Sequence, residues 1–386
     1  MTSQVLNGER LVDLRDILGL SQSAVAERLC VNQASVSLVE RGERPLTESM
    51  VSNLSDAFAV PYTFFLVPSE LIGPVTFRKK ASASVKDEKR VTKKYREAAR
   101  LFKTTSTESG FKTATLPHPG DFEHDASTLA DEVRATAGLG ADDPVLNMTR
   151  LLERLGVGVI SPLEHAYVND DLDDVEASQQ MKVQTETSHV SISCPQLADG
   201  RPLVALVAKC SGDRARYSLA HELGHLIYDR RLTRPIRGTR SHEELVANSF
   251  ASALLVPDSV MRRNVSESLT LHGYLTLKAK YGMSVAALIA RAERLGLISR
   301  DRARSLHIQR SSQGWSRNEP VAVPPEKTLL FQQSYRRVFP GTSNEQVAQQ
   351  VGIMESLLDD WIDSLPASTG RGQVVSLSAW RQRSVA

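Results

Sequence analysis

The sequence is poor in cysteine and in aromatic residues, with three Cys and 5% Phe, Trp and Tyr in 386 residues. Cys30, Cys194 and Cys210 are scattered without a CxxC pair, which argues against an all-thiolate zinc or iron–sulfur site and fits a reducing compartment. No apolar run approaches the length that crosses a bilayer, so no membrane span is expected. The first twenty residues mix acids with apolar side chains and lack a basic start followed by an apolar block. They do not read as a secretion signal, and the expected compartment is the cytoplasm. The formal charge is only +2 and points to no partner, so the distribution of charge has to be read instead.

At this length one ordinary core is too small, and two or three domains are expected. The expected fold is mainly α with a small α+β domain. Residues 1–68 carry five short amphipathic patterns and form an N-terminal helical bundle. Residues 69–121 read as a basic helical connector and linker. Within them Arg78 to Lys103 holds eleven Lys or Arg against Asp87, Glu88 and Glu97, and Thr104 to Asp121 is rich in Thr, Ser, Gly and Pro. Residues 122–306 form the α+β domain, with helices over Ala126–Ala137 and Val145–Leu155. Strands are expected at Val157–Ile160, Val190–Ser193 and Leu203–Ala208, and long helices over Asp213–Tyr228 and Glu243–Leu255. The acidic stretch Asp170 to Glu176 lacks the glycine and spacing of a calcium loop and reads as solvated. Residues 307–386 are a polar linker, a helical region and a tail.

The stretch SQSAVAERLCVNQASVSLVERGERPL has the pattern of two helices packed at a steep angle, with Ala26 at the crossing, Val31 in the turn, and Val36 and Val39 inward. Gln22 then starts the first helix, while Asn32, Gln33, Ala34, Ser35 and Ser37 occupy the outward end and side of the second. Amides can read adenine edges and hydroxyls can hold phosphates, so double-stranded DNA is the expected partner, the alternative being a helical bundle used for protein contacts. Residues 1–68, however, hold five Arg against eight acids, a net of −3. Phosphate affinity would have to come from the basic connector or from a homodimer. Residues 8–66, including Glu40, Arg41 and Gly42, resemble the XRE, or lambda-repressor-like, helix-turn-helix family.

In RYSLAHELGHLIYD, His221 and His225 lie one helical turn apart, so both imidazoles face the same way and can share a zinc ion. Glu222 beside them can reach a water on the metal without occupying a coordination position, which suits a general base. A hydrolytic zinc needs a third protein ligand and an open position. Nineteen residues after His225 comes Glu244, at the head of a second amphipathic helix. It is preferred to Glu243 because Ala247, Phe250, Ala251 and Leu254 continue on or beside its face. His242 precedes the apolar pattern and reads as an exposed loop residue. Asn248, one turn after Glu244, either orients a ligand or closes a helix contact. No transition-state stabiliser is assigned among Tyr217, Tyr228, His189 and His242.

Arg216, Leu219, Ala220 and HELGH, with ExxANxFAxxLLxP from Glu244 to Pro257, resemble the ImmA/IrrE metallopeptidase family over roughly residues 126–300. That resemblance implies a zincin-like domain with a short sheet and an active-site helix. It also implies a protein substrate, an XRE-type repressor whose cleavage relieves repression. Many relatives close the metal-binding helix with a histidine where this chain has Asp229. The alternative the resemblance carries is a regulator or antitoxin that binds a ligand, a partner protein or a cognate toxin without cleaving it. Near the C-terminus SNEQVAQQVGIMESLLDDWI lies over SQSAVAERLCVNQASVSLVE without a gap, placing Val347 on Val25, Ala348 on Ala26 and Gly352 on Cys30. Its outward helix would carry Glu355, Asp359 and Asp360, which repel phosphate, so this second pair is read as a protein contact or a plain helical hairpin.

Overall fold

Ser21, Asn32 and Thr47 each precede a short apolar-periodic segment, and in the computed structural model of the protein each caps a helix through its side-chain oxygen. The structure describes residues 5–69, 72–79, 84–117, 125–167, 185–186, 189–196, 200–236, 238, 241–316 and 318–362. The acidic stretch Asp170 to Glu176 lies outside them.

The N-terminal bundle comprises α1 (Glu9–Leu18), α2 (Gln22–Arg28), α3 (Gln33–Glu40) and α4 (Glu48–Phe58), closed by a short 3-10 helix, Tyr62–Phe65. Strand β1 (Thr76–Lys79) and α5 (Val85–Glu108) follow. Next come α6 (Ala126–Thr136), α7 (Met148–Arg154), β2 (Gly158–Ile160), β3 (Ala166–Tyr167), β4 (Thr185–Glu186), β5 (His189–Ser193) and β6 (Leu203–Leu206). The long pair α8 (Gly212–Tyr228) and α9 (His242–Leu255) leads into α10 (Asp258–Asn264), α11 (Gly273–Tyr281), α12 (Val285–Arg294) and α13 (Arg300–Ser312). The C-terminal helices are α14 (Leu330–Val338), α15 (Asn344–Val351) and α16 (Glu355–Trp361). None of the described helices is long and apolar enough to cross a membrane.

The main sheet has the order β1-β5-β6-β2, antiparallel except for the parallel β6–β2 pair. It is buried on both faces, and the period of two sorts its side chains between two cores. Val204 and Leu206 join the core of α8, α9 and the helices around them, while Leu203, Ala205 and Val207 join a second core. That second core also takes in Leu11, Leu14, Val36 and Phe64 of the N-terminal bundle, Tyr95 and Phe102 of α5, and Trp361 of α16. The bundle is therefore packed onto the sheet through α5.

The basic stretch differs from a single helical connector. Its first residues pair with β5 as a strand, because Thr76 and Val75 are buried there. The helix after that strand runs five residues past Lys103 to Glu108. Thr105 and Ser106 are buried, and the Thr105 hydroxyl donates to the Leu101 carbonyl 2.9 Å away. Tertiary packing here outweighs the low helix propensity of threonine. Several of the helix's cations are paired internally. Lys93 reaches Asp13 at 2.5 Å, Arg90 and Lys94 reach Glu164 at 2.9 and 3.2 Å, and Arg100 reaches Glu97 at 2.7 Å. Arg10 of α1 is fully buried between Asp13 (2.9 Å) and Glu97 (2.5 Å), with its guanidinium 3.7 Å from the Phe64 ring centre. Of these, Lys93 with Asp13 and Arg10 with Glu97 join the bundle to α5, while Arg90 and Lys94 tie α5 to Glu164 after β2. The Arg10 and Arg100 guanidiniums keep the buried Glu97 carboxyl below its ordinary range despite burial, which opposes its charge.

The polar segment after α13 is also pinned. Glu319 accepts from Lys278 at 2.7 Å and from the Val285 amide at 2.9 Å, and Glu326 accepts from the Met148 and Thr149 amides at the start of α7. In the C-terminal pair, Val347 and Ala348 are buried like Val25 and Ala26. Gly352 and Cys30 both adopt left-handed backbone, at φ 63° and 55°. Glycine takes that conformation freely, whereas a side chain costs about 1–2 kcal/mol. Glu355 and Asp359 are exposed.

Candidate metal centre and recognition helix

Along α8 the residues Leu219, Leu223, Leu226 and Ile227 are buried in the core, which fixes the rotation of the helix and turns His221 and His225 toward α9. The two helices approach closely at Gly224, where a Cβ would stand 3.2 Å from the Ala247 Cα and the Phe250 ring. That approach carries Glu244, in the first turn of α9, to the two imidazoles.

His221 Nε2 and His225 Nε2 lie 3.0 Å apart. Glu244 Oε2 is 3.4 Å from the first and Glu244 Oε1 3.6 Å from the second. Ligands about 2.0–2.1 Å from a tetrahedral zinc are separated by roughly 3.3 Å, so the donor set fits such an ion. His221, His225 and Glu244 form a group with metal-ligand spacing, and all three are buried. Glu243 is half-buried, and His242 is exposed at the start of α9.

Each imidazole is oriented from behind. Asn248 Oδ1 lies 3.2 Å from His221 Nδ1, while the Asn248 amide donates to the Glu244 carbonyl at 2.7 Å. Asp229 Oδ2 lies 2.6 Å from His225 Nδ1. An oxygen acceptor at Nδ1 requires the proton there and leaves the Nε2 lone pair facing the centre. Asp229 thus backs the His225 ring, a contact that its four-residue spacing from His225 makes possible.

Without a metal the imidazoles titrate apart. Burial, together with the charge of His225, pushes His221 down against the pull of Glu244. Burial also opposes charge on His225, but Asp229 and Glu244 outweigh it and take the group up to about 10. Burial would raise Glu244, yet the two histidines beside it hold it at about 2.

Glu222 is fully buried. Its Oε1 accepts from Ser191 at 2.7 Å, and its Oε2 accepts from Ser193 at 2.6 Å and Thr76 at 2.9 Å. Ser191 and Ser193 share one face of β5, which strand alternation signals in the sequence, but their contact with Glu222 was not read there. Nor was that of Thr76, which is 146 residues away from Glu222. Beside it Arg78 donates to Ser218 at 2.5 Å and lies 4.8 Å from the Tyr217 ring centre. The Tyr217 hydroxyl donates to Asn248. Tyr228 packs edge-on against Phe250, with burial raising its hydroxyl to about 12. His189 stands at the start of β5.

The recognition helix has a different character. Asn32, Gln33 and Ala34 are exposed, and Ser35, Ser37 and Gln22 half-exposed. The Asn32 side-chain oxygen is taken by the Ser35 amide and hydroxyl, both at 2.8 Å, leaving its NH2 group outward. Gln22 donates to Glu40 at 2.7 Å and accepts from Gln33 at 3.4 Å. Two flanking cations are not marked by the helical pattern of the sequence. Arg41 donates to Ser37 at 3.0 Å and Arg44 to Ser35 at 3.2 Å, placing guanidinium groups beside the outward face.

Comparison with known families matches residues 177–293 to the IrrE N-terminal-like domain and residues 11–65 to a helix-turn-helix domain. No curated protein matches the chain.

Proposed function

We propose that this chain, an XRE-type helix-turn-helix module joined to an IrrE N-terminal-like domain, is a cytoplasmic DNA-binding regulator whose second module is a zinc endopeptidase. The observation carrying the reading is the convergence of His221, His225 and Glu244, each imidazole backed by its own acceptor, next to Glu222. Zinc, when bound, supplies Lewis acidity that lowers the pKa of a water to about 7 and polarises a peptide carbonyl. Glu222 takes the proton from the attacking water as the carbon–oxygen bond forms. It returns that proton to the amide nitrogen as the carbon–nitrogen bond breaks. Asn248 and Asp229 keep the ring protons at Nδ1 and the ligand atoms aimed inward.

The substrate we assign is an XRE-type repressor, cut to relieve repression. On the DNA side, Gln33 and the Asn32 amide reach base edges in the major groove, Ala34 fits a thymine methyl, and Gln22 and Ser37 border the backbone. Arg41 and Arg44 supply phosphate contacts. Co-expression of candidate repressors with wild type and with Glu222→Gln tests the reading: cleavage by the wild type alone supports it.

One observation favours a second reading, a regulator or antitoxin that binds a partner, such as a toxin, without cleaving it. The Glu222 carboxylate is sealed from solvent and held by three hydroxyls. Zinc-loaded protein that cuts none of the repressors yet retains a partner on co-purification would establish that reading.

A further inference from the structure

The chain's own strand β1 stands on the edge of the sheet nearest Glu222. It is four residues long, shifts register between Arg78 and Lys79, and pairs antiparallel with β5 through Thr76 and Ser193, Phe77 and Ile192, and Arg78 and Ser191. It is supplied from between the helix-turn-helix module and α5, outside the residues that match the IrrE-like domain. The β5 residues facing α8, Ser191 and Ser193, hold Glu222. Without β1, the outer backbone groups of β5 would be unpaired beside the candidate base and metal ligands. An unpaired edge is a template for an extended peptide, which gains main-chain hydrogen bonds there.

We propose that residues 76–79 are a built-in competitor, occupying the β5 edge against an extended segment of this domain's protein partner. The inference rests on the peptidase reading for cleavage of the bound segment, but not for the binding itself. Two side chains make the occupation specific. The Thr76 hydroxyl donates 2.9 Å to Glu222 Oε2, occupying an oxygen that general-base work needs. Arg78 crosses over Tyr217 and reaches Ser218, one turn before the metal-binding histidines. The apolar hold on the strand is modest: Val75 is buried, and Phe77 is only half-buried. A tether of this kind acts as a competitor at high local concentration, so it weakens an incoming peptide without abolishing the site.

The test uses the full chain and a fluorescent peptide with the sequence of residues 73–80, Gly-Pro-Val-Thr-Phe-Arg-Lys-Lys. One variant, Phe77→Pro, removes a strand amide. A second replaces the strand as Thr76→Gly, Phe77→Ser, Arg78→Gly and Lys79→Ser. Peptide binding at least about tenfold tighter to either folded variant than to wild type supports the proposal. Equal binding to folded, metal-loaded variants overturns it. A measurement on the unaltered protein guards against variants that do not fold. Amides 76–79 are expected to exchange hydrogen at least about 100-fold faster than those of β6, through local opening. Exchange of both strands only on global unfolding overturns the proposal. A variant that captures the peptide and cleaves nothing upholds strand exchange while refuting the peptidase. Undiminished cleavage by a chain whose β1 is locked to β5 by a Phe77→Cys and Ile192→Cys disulfide does the reverse.

Discussion

The helices α8 and α3 both present polar side chains at one-turn spacing, but they hold them in opposite ways. On α8 every functional group is buried and has a fixed partner: Asn248 behind His221, Asp229 behind His225, and three hydroxyls around Glu222. On and beside α3 the polar side chains are exposed or half-exposed and bond to neighbours on the same surface, as in Asn32 with Ser35, Ser37 with Arg41 and Ser35 with Arg44. Buried donors set in place in advance suit chemistry that tolerates little misplacement. Exposed amides and hydroxyls suit a surface whose bonds are exchanged for those of a ligand. The two helices are also mechanically joined, because the module bearing α3 and the sheet over α8 share a core through α5.

Removing that joint should have the largest effect. Arg10→Ala removes the cation buried between Asp13 and Glu97, leaving Glu97 to Arg100 and Asp13 to Lys93, and unfolding by denaturant should show a loss of about 3 kcal/mol, the lower end of the cost of breaking a buried pair. A loss within about 0.5 kcal/mol, the range of a surface substitution, would show that the two halves are held together elsewhere. The next effect tests the supports behind the metal. Asp229→Asn should weaken zinc affinity about 10- to 100-fold in chelator competition while α3 keeps its DNA affinity.

The charge of the metal-free site gives a pH signature that α3 lacks. His225 rises from 6.5 to about 10 on folding, so its contribution is complete below pH 6.5 and is lost as pH climbs toward 10. Glu244 falls from 4.5 to about 2, so its contribution is complete above pH 4.5 and is lost as pH drops toward 2. The chelated protein should therefore melt highest between these limits. Zinc should remove the decline above pH 6.5, because it holds both imidazoles neutral. A chelated protein whose Tm is flat from pH 6.5 to 10 would contradict this charge arrangement.

On the recognition side, Arg44→Ala should weaken binding about equally across DNA sequences and reduce the salt slope by about 1. Gln33→Ala should instead relax base preference at one position, by about 1–3 kcal/mol. The smallest effect concerns the two helix pairs that share a left-handed turn. Cys30→Gly should stabilise the protein by roughly 0.5–1 kcal/mol, the relief of strain less the entropy glycine adds to the unfolded chain. An unchanged denaturation midpoint would mean that the Cys30 side chain makes a compensating contact.

Helix-forming stretches and their short-range chemistry were legible in the sequence. The apolar period placed α8 and α9 almost to the residue, and the turn spacing put His221 and His225 on one face. Glu244 could be chosen over Glu243 because the residues after it repeat the packing face. Contacts between distant segments were not legible. Nothing local to Thr76 announces that it joins β5, and the cations of α5 look free until Asp13, Glu97 and Glu164 fold against them. The polar segment around Glu319 and Glu326 reads as a linker because its partners, a lysine and the amides at two helix starts, lie elsewhere in the chain.

The central claim is the metal centre, and zinc content per chain after purification tests it most directly in wild type, Glu222→Gln and Glu244→Ala. The account predicts one zinc in the wild type and in Glu222→Gln, and a large loss in Glu244→Ala. Zinc retained in full by Glu244→Ala, or absent from the wild type after growth with added zinc, would contradict it.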